Sequence, residues 1–333
     1  MPSKYRNVSG YLFETGAKSA FLVDVGEGTY GQLRTILDEE GVEEMLLHLH
    51  AVFITHAHQD HMNGLYTVIE KRRDAFEKRG VAYRPLVLLC NRNVMKPLKT
   101  YTHCFEDLQR YVQVVDVSTS NEVRYAPAPK RPRSASGSES GDAELIPQTL
   151  APTTSDLIKK VPAELYDRDE WQLDGALAVQ VHHTRMANGF VFTTANEKKV
   201  VFSGDTKPCQ LLVEYGKGAD LLVHEATFED GHEVDAERKK HSTMKQAVDI
   251  GTKMQAKNII LTHFSARYPK VPPLPSYLDA SSIGIAMDGL RVPFDRLHLV
   301  PLLTPIYRSI FKDELFEIDL KNNNSCPRVR ALP

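Results

Sequence analysis

Short runs of aliphatic and β-branched residues recur along the chain, and each stops abruptly at a histidine, an aspartate or a glutamate. Leu49 to Ile54 runs into Thr55-His56, Leu177 to Val181 into His182-His183, and Val200 to Phe202 into Ser203-Gly204-Asp205. Leu221 to Val223 leads to His224-Glu225, and Ile259 to Leu261 to Thr262-His263. Runs of this length and composition predict buried strands, so the pattern gathers polar groups at strand ends. Between the runs, Leu65, Val68, Ile69 and Phe76 share one helical face, as do Met244, Ala247, Val248 and Gly251. Strands interleaved with amphipathic helices predict a layered α/β architecture.

The style breaks from about residue 118 to 160, where Tyr125-Ala126-Pro127-Ala128-Pro129-Lys130-Arg131-Pro132-Arg133 leads into Ser134-Ala135-Ser136-Gly137-Ser138. Such composition cannot bury enough apolar surface to fold. Apolar segments of matching style resume after Trp171, so residues 1–333 are expected to form a single domain carrying a disordered surface insertion. Pro129 to Arg133 reads either as a solvated basic run or as a short nuclear-import cluster.

Charge changes the picture only by exclusion. Lys plus Arg number 41 against 43 Asp plus Glu, for a net charge of -2, so there is no global positive field and any RNA contact must use a local patch. Cys90, Cys104, Cys209 and Cys326 lack a Cys-x-x-Cys spacing, and Met1-Pro2-Ser3-Lys4 opens neither a signal peptide nor an Arg-rich presequence. An intracellular, reducing location is expected. No apolar run approaches the roughly 20 residues that span a bilayer, so no membrane insertion is expected.

The candidate chemistry sits in His56-Ala57-His58-Gln59-Asp60-His61, where an apolar run ends and Gly64 loosens the chain into the next helix. His56 and His58, two apart in extended backbone, project to one side and can grip one ion, while Asp60 and His61 can reach a second. Imidazole and carboxylate suit zinc or manganese. Two ions need more ligands, and the strand-end residues His183, Asp205 and His263 are the natural suppliers. Asp205 could instead be a turn residue, but its place in the series favours a bridging ligand. His183 is preferred over His182 because it continues the face of Leu177, Val179 and Val181. His224 lies inside its run and reads as a core histidine.

With these residues in view, nearly the whole chain resembles the carboxyl-terminal, catalytic half of the long-form tRNase Z family. His56-x-His58-x-Asp60-His61 resembles the signature of the metallo-β-lactamase superfamily at large. More specific are Pro2-Ser3-Lys4-Tyr5-Arg6-Asn7, similar to a Pro-x-Lys-x-Arg-Asn loop, and Leu22 to Thr29, similar to the first acidic motif. His224-Glu225-Ala226-Thr227 with His241-Ser242-Thr243 resembles the family's Glu and His pair, and His263-Phe264-Ser265-x-Arg267-Tyr268 its last ligand motif. Asn188 departs from the pattern, standing where the family has an aromatic residue before Gly189.

The resemblance implies a metallo-β-lactamase fold, a four-layer αββα sandwich, with His56, His58 and His183 on one zinc, Asp60, His61 and His263 on the other, and Asp205 bridging. It implies an endoribonuclease that removes the 3′ trailer from precursor tRNA and leaves a 3′-hydroxyl on the tRNA. Water activated between the two ions would attack phosphorus, with Asp60 as base and His241, held by Glu225, as proton donor. Lys4, Arg6 and Arg267 are candidate phosphate contacts. Lys71-Arg72-Arg73 and Arg238-Lys239-Lys240 are candidate patches for the acceptor stem. The family's tRNA-gripping flexible arm belongs to an amino-terminal half and has no counterpart here, so a separate or missing half is an expected partner. Nucleus and mitochondrion are both open as destinations. Rival readings are a metallo-β-lactamase-fold hydrolase of a small ester, thioester or phosphodiester, which needs neither Glu225 nor His241, and a non-catalytic module that binds RNA or a partner.

Overall fold

The computed structural model describes residues 6–118, 157–165, 167–268, 270–279 and 282–325. Its frame is two sheets. The first holds β1 (Gly10–Gly16), β2 (Ser19–Val25), β3 (Leu49–Phe53), β4 (Leu86–Cys90) and β5 (Val112–Asp116) in that order. β1 is antiparallel to β2, and the rest run parallel. The second holds β6 (Ile158–Lys160), β7 (Leu173–Gln180), β8 (Asn188–Thr194), β9 (Lys199–Phe202), β10 (Leu221–Glu225), β11 (Ile259–Thr262) and β12 (Ile283–Ile285), also in sequence order across the sheet. β6 to β9 form an antiparallel meander, and β9 to β12 are parallel.

Uninterrupted apolar runs are what a strand covered on both faces requires. In β2, Phe21 and Val23 face the gap between the sheets, while Ala20, Leu22 and Val25 face helices. Those helices are α1 (Thr29–Leu47), α3 (Leu65–Arg79) and α4 (Arg92–Cys104), with the one-turn α2 (Gln59–Met62) between the first two. On the second sheet, α5 (Gln210–Gly216) and α6 (Met244–Met254) cover the outer face. The layers therefore run helix, sheet, sheet, helix, as expected. Aromatic rings lock the middle: Phe53 meets Phe192 edge-on at 4.8 Å and Phe190 at 5.3 Å. Truncating Phe192 to alanine would cost about 3–5 kcal/mol.

Three sequence expectations change. The insertion was expected to end near residue 160, but Ile158–Lys160 is an edge strand whose backbone pairs with Leu177–Val179; the meander offers an open edge that even a lysine-bearing strand can pair with. Ser118, at the other end, is buried and its hydroxyl accepts the Arg92 amide. Residues 119–156, including the basic cluster 129–133, lie outside the described residues. Lys71-Arg72-Arg73 is no patch. Arg72 is buried, donating to the Leu49 and Arg84 carbonyls beneath Phe76 and Tyr83, and Arg73 pairs with Asp74 and Glu106. A long stem let a charged residue on the inner helix face pass for surface.

Candidate metal centre

The parallel strands of both sheets point their carboxyl ends at one rim, the usual place for a site in an open α/β sheet. His56 follows β3, His183 follows β7, Asp205 follows β9, Glu225 ends β10 and His263 follows β11. Backbone strain marks the rim. Asp24 (φ 58°) and His263 (φ 58°) are held in the left-handed region, where Asp and His are tolerated but not preferred. Gly204 (φ 57°) sits where an added Cβ would lie 2.9 Å from the Asn188 carbonyl oxygen and 2.9 Å from Thr55 Cβ. Only glycine lets the turn before Asp205 approach β8 and the His56 strand this closely.

Every expected ligand arrives. One ligand atom each from His56, His58, His183 and Asp205 forms one close group, and one each from Asp60, His61 and His263 a second, all within 4.8 Å of one another inside each group. Asp205 reaches both: its carboxylate lies 3.7 Å from His56 Nε2, 3.7 Å from His183 Nε2, 3.3 Å from His61 Nε2 and 3.4 Å from His263 Nε2. His182, the competitor of His183, is exposed, and its imidazole joins neither group.

The hydrogen bonds fix the tautomers. His61 Nδ1–H donates to Asp24 Oδ2 at 2.7 Å, and His183 Nδ1–H donates to the Lys240 carbonyl at 2.9 Å. Thr55 gives its hydroxyl proton to Asp24, so His56 Nδ1–H donates to Thr55 Oγ1 at 3.0 Å. Thr227 gives its proton to Glu225, so His263 Nδ1–H donates to Thr227 Oγ1 at 2.8 Å. Four imidazoles thus point Nε2 at the centre, and His58 turns Nδ1 to within 2.9 Å of His56 Nε2 and 3.3 Å of His183 Nε2. His61 Nε2 and His263 Nε2 are buried without a hydrogen-bond partner. Ring nitrogens converging around a carboxylate fit cations, and the nitrogen and carboxylate donors fit zinc or manganese.

Electrostatics agree. Burial works against the Asp205 carboxylate, but His263 and His61 outweigh it and hold its carboxyl well below the usual range. Burial likewise opposes charge on His61, yet Asp205 and Asp24 drive it well above the ordinary histidine value. The position attracts positive charge. His263 behaves oppositely, burial pulling it down to about 4 despite Asp205.

Beside the two groups, His241 Nδ1–H donates to Glu225 Oε1 at 2.8 Å. Glu225 is buried and also accepts the amides of Thr206, Thr227 and Ser242. Burial disfavours the His241 cation, but the Glu225 carboxylate prevails and the pKa is raised. The His241 ring lies 4.7 Å from His183 and 5.7 Å from His263, centroid to centroid. It stands just before α6, whose Thr243 and Gln246 form a capping box. His241 also comes within ligand distance of Asp205 and His263, while its Nδ1 is tied to Glu225.

Of the expected phosphate contacts, Lys4 lies outside the described residues. Arg6 stacks on Phe264 at 5.6 Å, and its three guanidinium nitrogens are buried without a hydrogen-bond partner among the described residues. Arg267 packs over Phe228 at 5.5 Å, with Lys239 on the same ring at 5.7 Å. Arg238 pairs with Asp235, leaving the second basic cluster on the surface. His224 is buried with Nδ1 on the Glu225 carbonyl, outside the site. Sequence reading missed the roles of Asp24, Thr55 and Thr227. Asp24 stood in a noted acidic motif at a strand end, which was the available signal.

The comparisons with known proteins follow this geometry. The Beta-lactamase superfamily domain matches residues 19–145 and 152–264. The chain is 58% identical over 332 residues to "Zinc phosphodiesterase ELAC protein 2 homolog" of Caenorhabditis elegans, covering 100% of this chain and 39% of that protein. It is 31% identical to the mitochondrial tRNAse Z of Arabidopsis thaliana, covering 95% of this chain and 35% of that one. The chain thus spans less than two-fifths of the length of these relatives. Among solved structures, a long-form RNase Z from yeast superposes with a TM-score of 0.72 at 23% identity, over 96% of this chain and 43% of that one. Human tRNase Z, short form, gives 0.58 at 20% over 88% and 95%; both likenesses speak for the fold. Layered sheets, a histidine-aspartate rim and a domain match across most of the described strands lead to one assignment: the chain belongs to the beta-lactamase superfamily.

Proposed function

We propose that the chain is a zinc-dependent endoribonuclease of the tRNase Z kind, cutting the 3′ trailer from precursor tRNA and leaving a 3′-hydroxyl. The observation that carries it is the Glu225–Thr227–His241 network built against the metal groups. A hydrolase of small esters needs only the ligands, whereas a phosphodiester with a poor leaving group needs a positioned proton donor. The similarity to a zinc phosphodiesterase over the full chain supports the same reading.

In this reading His56, His58 and His183 would hold one zinc, Asp60, His61 and His263 the second, and Asp205 would serve both. Two bound zinc ions would polarise the phosphoryl oxygens and make water acidic enough to attack at neutral pH. The protein does the rest. Asp60, half-buried at the mouth, orients the water and takes its proton. His241, kept protonated by Glu225, gives a proton to the departing 3′-oxygen. Arg6, Arg267 and Lys4 hold backbone phosphates; a buried guanidinium lacking a partner is primed for a charge-assisted bond. Recognition of the tRNA relies on shape, and a separate or missing amino-terminal half supplies the flexible arm. The enzyme works inside the cell, where Cys90, Cys104 and Cys209 stay free; nucleus and mitochondrion are its proposed destinations. Among the described residues no helix is long and apolar enough to cross a membrane.

The test is to incubate the zinc-loaded chain with a precursor tRNA bearing a 3′ trailer and map the cut, alongside Asp60→Ala and His241→Ala and generic phosphodiesters. Cleavage just after the discriminator nucleotide, abolished by the first substitution and weakened by the second, is expected. Cleavage of small esters alone would replace the tRNA assignment, and metal binding without any cleavage would leave a binding module.

A further inference from the structure

Two residues of β1, Tyr11 and Phe13, pack into the gap between the sheets. Phe13 sits among Phe21, Phe192 and Phe202, where an apolar ring is all that the packing asks for. Tyr11 lies against Phe202 at 5.6 Å and carries a hydroxyl as well. A tyrosine commonly buries its apolar ring and turns the polar tip to water. Here the residue is half-buried, yet its hydroxyl reaches inward and meets Thr262 Oγ1 at 3.4 Å, long for an O–H···O bond. Burial raises the hydroxyl's pKa, and the Asp24 and Asp205 carboxylates add to the effect, so the group keeps its proton and needs an acceptor for it.

A chamber of about 10 Å³ lies between Tyr11 and the metal centre, with His61 and Asp205 in its wall. Asp24 and Thr55 reach it from the first sheet, and Ser203, Glu225 and Thr262 from the second. The size suits one water molecule, and a polar wall is what holds a buried water in place. Tyr11, Phe202, Val223 and Thr262 also line the cavity of about 870 Å³ alongside β1, so they form a layer between the chamber and that larger space.

A water that accepts the Tyr11 proton has two protons of its own to give, and three carboxylates line the chamber. Asp24 already accepts from the Thr55 amide, the Thr55 hydroxyl and His61. Glu225 already accepts from the amides of Thr206, Thr227 and Ser242, from the Thr227 hydroxyl and from His241. Asp205 is the least supplied, facing ring nitrogens at 3.3 to 3.7 Å. A carboxylate offers about four lone-pair positions, so binding two cations leaves it room to accept from the fold. We propose that the chamber binds one water molecule, which carries the hydrogen bond of the Tyr11 hydroxyl to the Asp205 carboxylate and makes Tyr11 a positioning residue for the group that reaches both metal clusters. The inference rests on the reading of Asp205 as a shared ligand and not on the nature of the substrate.

Tyr11→Phe removes the hydroxyl and keeps the ring. In the full 333-residue chain, zinc affinity measured by competition with a chromophoric chelator should fall about tenfold, the lower end for a group that holds a metal ligand in place. The visible absorption of the cobalt-loaded protein should shift, while the metal-free Tm moves by no more than about 2–4 °C, the loss of one hydrogen bond. Thr262→Val, which removes the direct partner of Tyr11 and spares the water, should change zinc affinity less than about twofold. A high-resolution crystal structure should show one water within hydrogen-bond reach of both Tyr11 and Asp205. A dry chamber, zinc bound as tightly by Tyr11→Phe as by the parent, an equal loss in Thr262→Val, or a drop in metal-free Tm beyond that of one hydrogen bond would each overturn the inference.

Discussion

The two halves of the metal centre are built in opposite ways. His56, His58, Asp60 and His61 come from one loop and the turn of helix after it, so their spacing is local and survives any rearrangement of the rest. His183, Asp205 and His263 come from the ends of three strands in the second sheet, and they meet only because β7, β9 and β11 keep their register. The local half looks self-sufficient but is not: Asp24, from a neighbouring strand, holds both Thr55 and His61. The dispersed half looks fragile but contains the one carboxylate that touches both groups. Proximity in sequence is therefore a poor guide to which half depends on the other.

The comparison can be broken in order of effect. Removing metal with a chelator should abolish cleavage altogether, and lower Tm by the linkage that about 100-fold excess over Kd provides, roughly 2.7 kcal/mol, as followed by calorimetry. Asp205→Ala should cost about 10³-fold in kcat and reduce metal in both groups, read by elemental analysis; loss from one group alone would show the halves to be independent. His241→Ala should cost about 10²-fold in kcat with metal content intact, which separates a proton donor from a ligand. Asp24→Asn should weaken metal affinity about tenfold or more, measured by competition with a chromophoric chelator; no change would make the loop autonomous after all. The smallest effect lies outside both halves. His50, stacked on Trp171 at 5.5 Å, has its pKa lowered chiefly by burial. It stays neutral in the fold while the unfolded chain takes a proton near the ordinary value of about 6.5. Its stabilisation is whole above that pH and fades as pH falls below it, so Tm should drop by about a degree or two in mild acid, less so in His50→Phe.

How far the site was legible follows from the same contrast. The loop motif and the strand-end residues were readable because metal chemistry needs particular side chains and buried strands need apolar runs. Even the choice of His183 over His182 followed from two-residue alternation. Asp24 and Thr227 were not assigned their parts because hydrogen bonds between strands leave no periodic mark in a chain. Arg72 was misjudged because composition records a charge and not the direction of its stem. From the residues alone only a layered α/β class was visible, and the four-layer order came through the family resemblance; strand order needed the structure.

The hydrogen bonds that tie Nδ1 of His56, His61, His183 and His263 have one more consequence. Each ring is oriented by the fold itself, with a proton on its outer nitrogen. Loading then requires neither a search among rotamers nor the folding of a loop, unlike small domains that collapse only around their zinc. A centre emptied by a chelator should therefore keep its shape, and refilling it should require no refolding and no new protein.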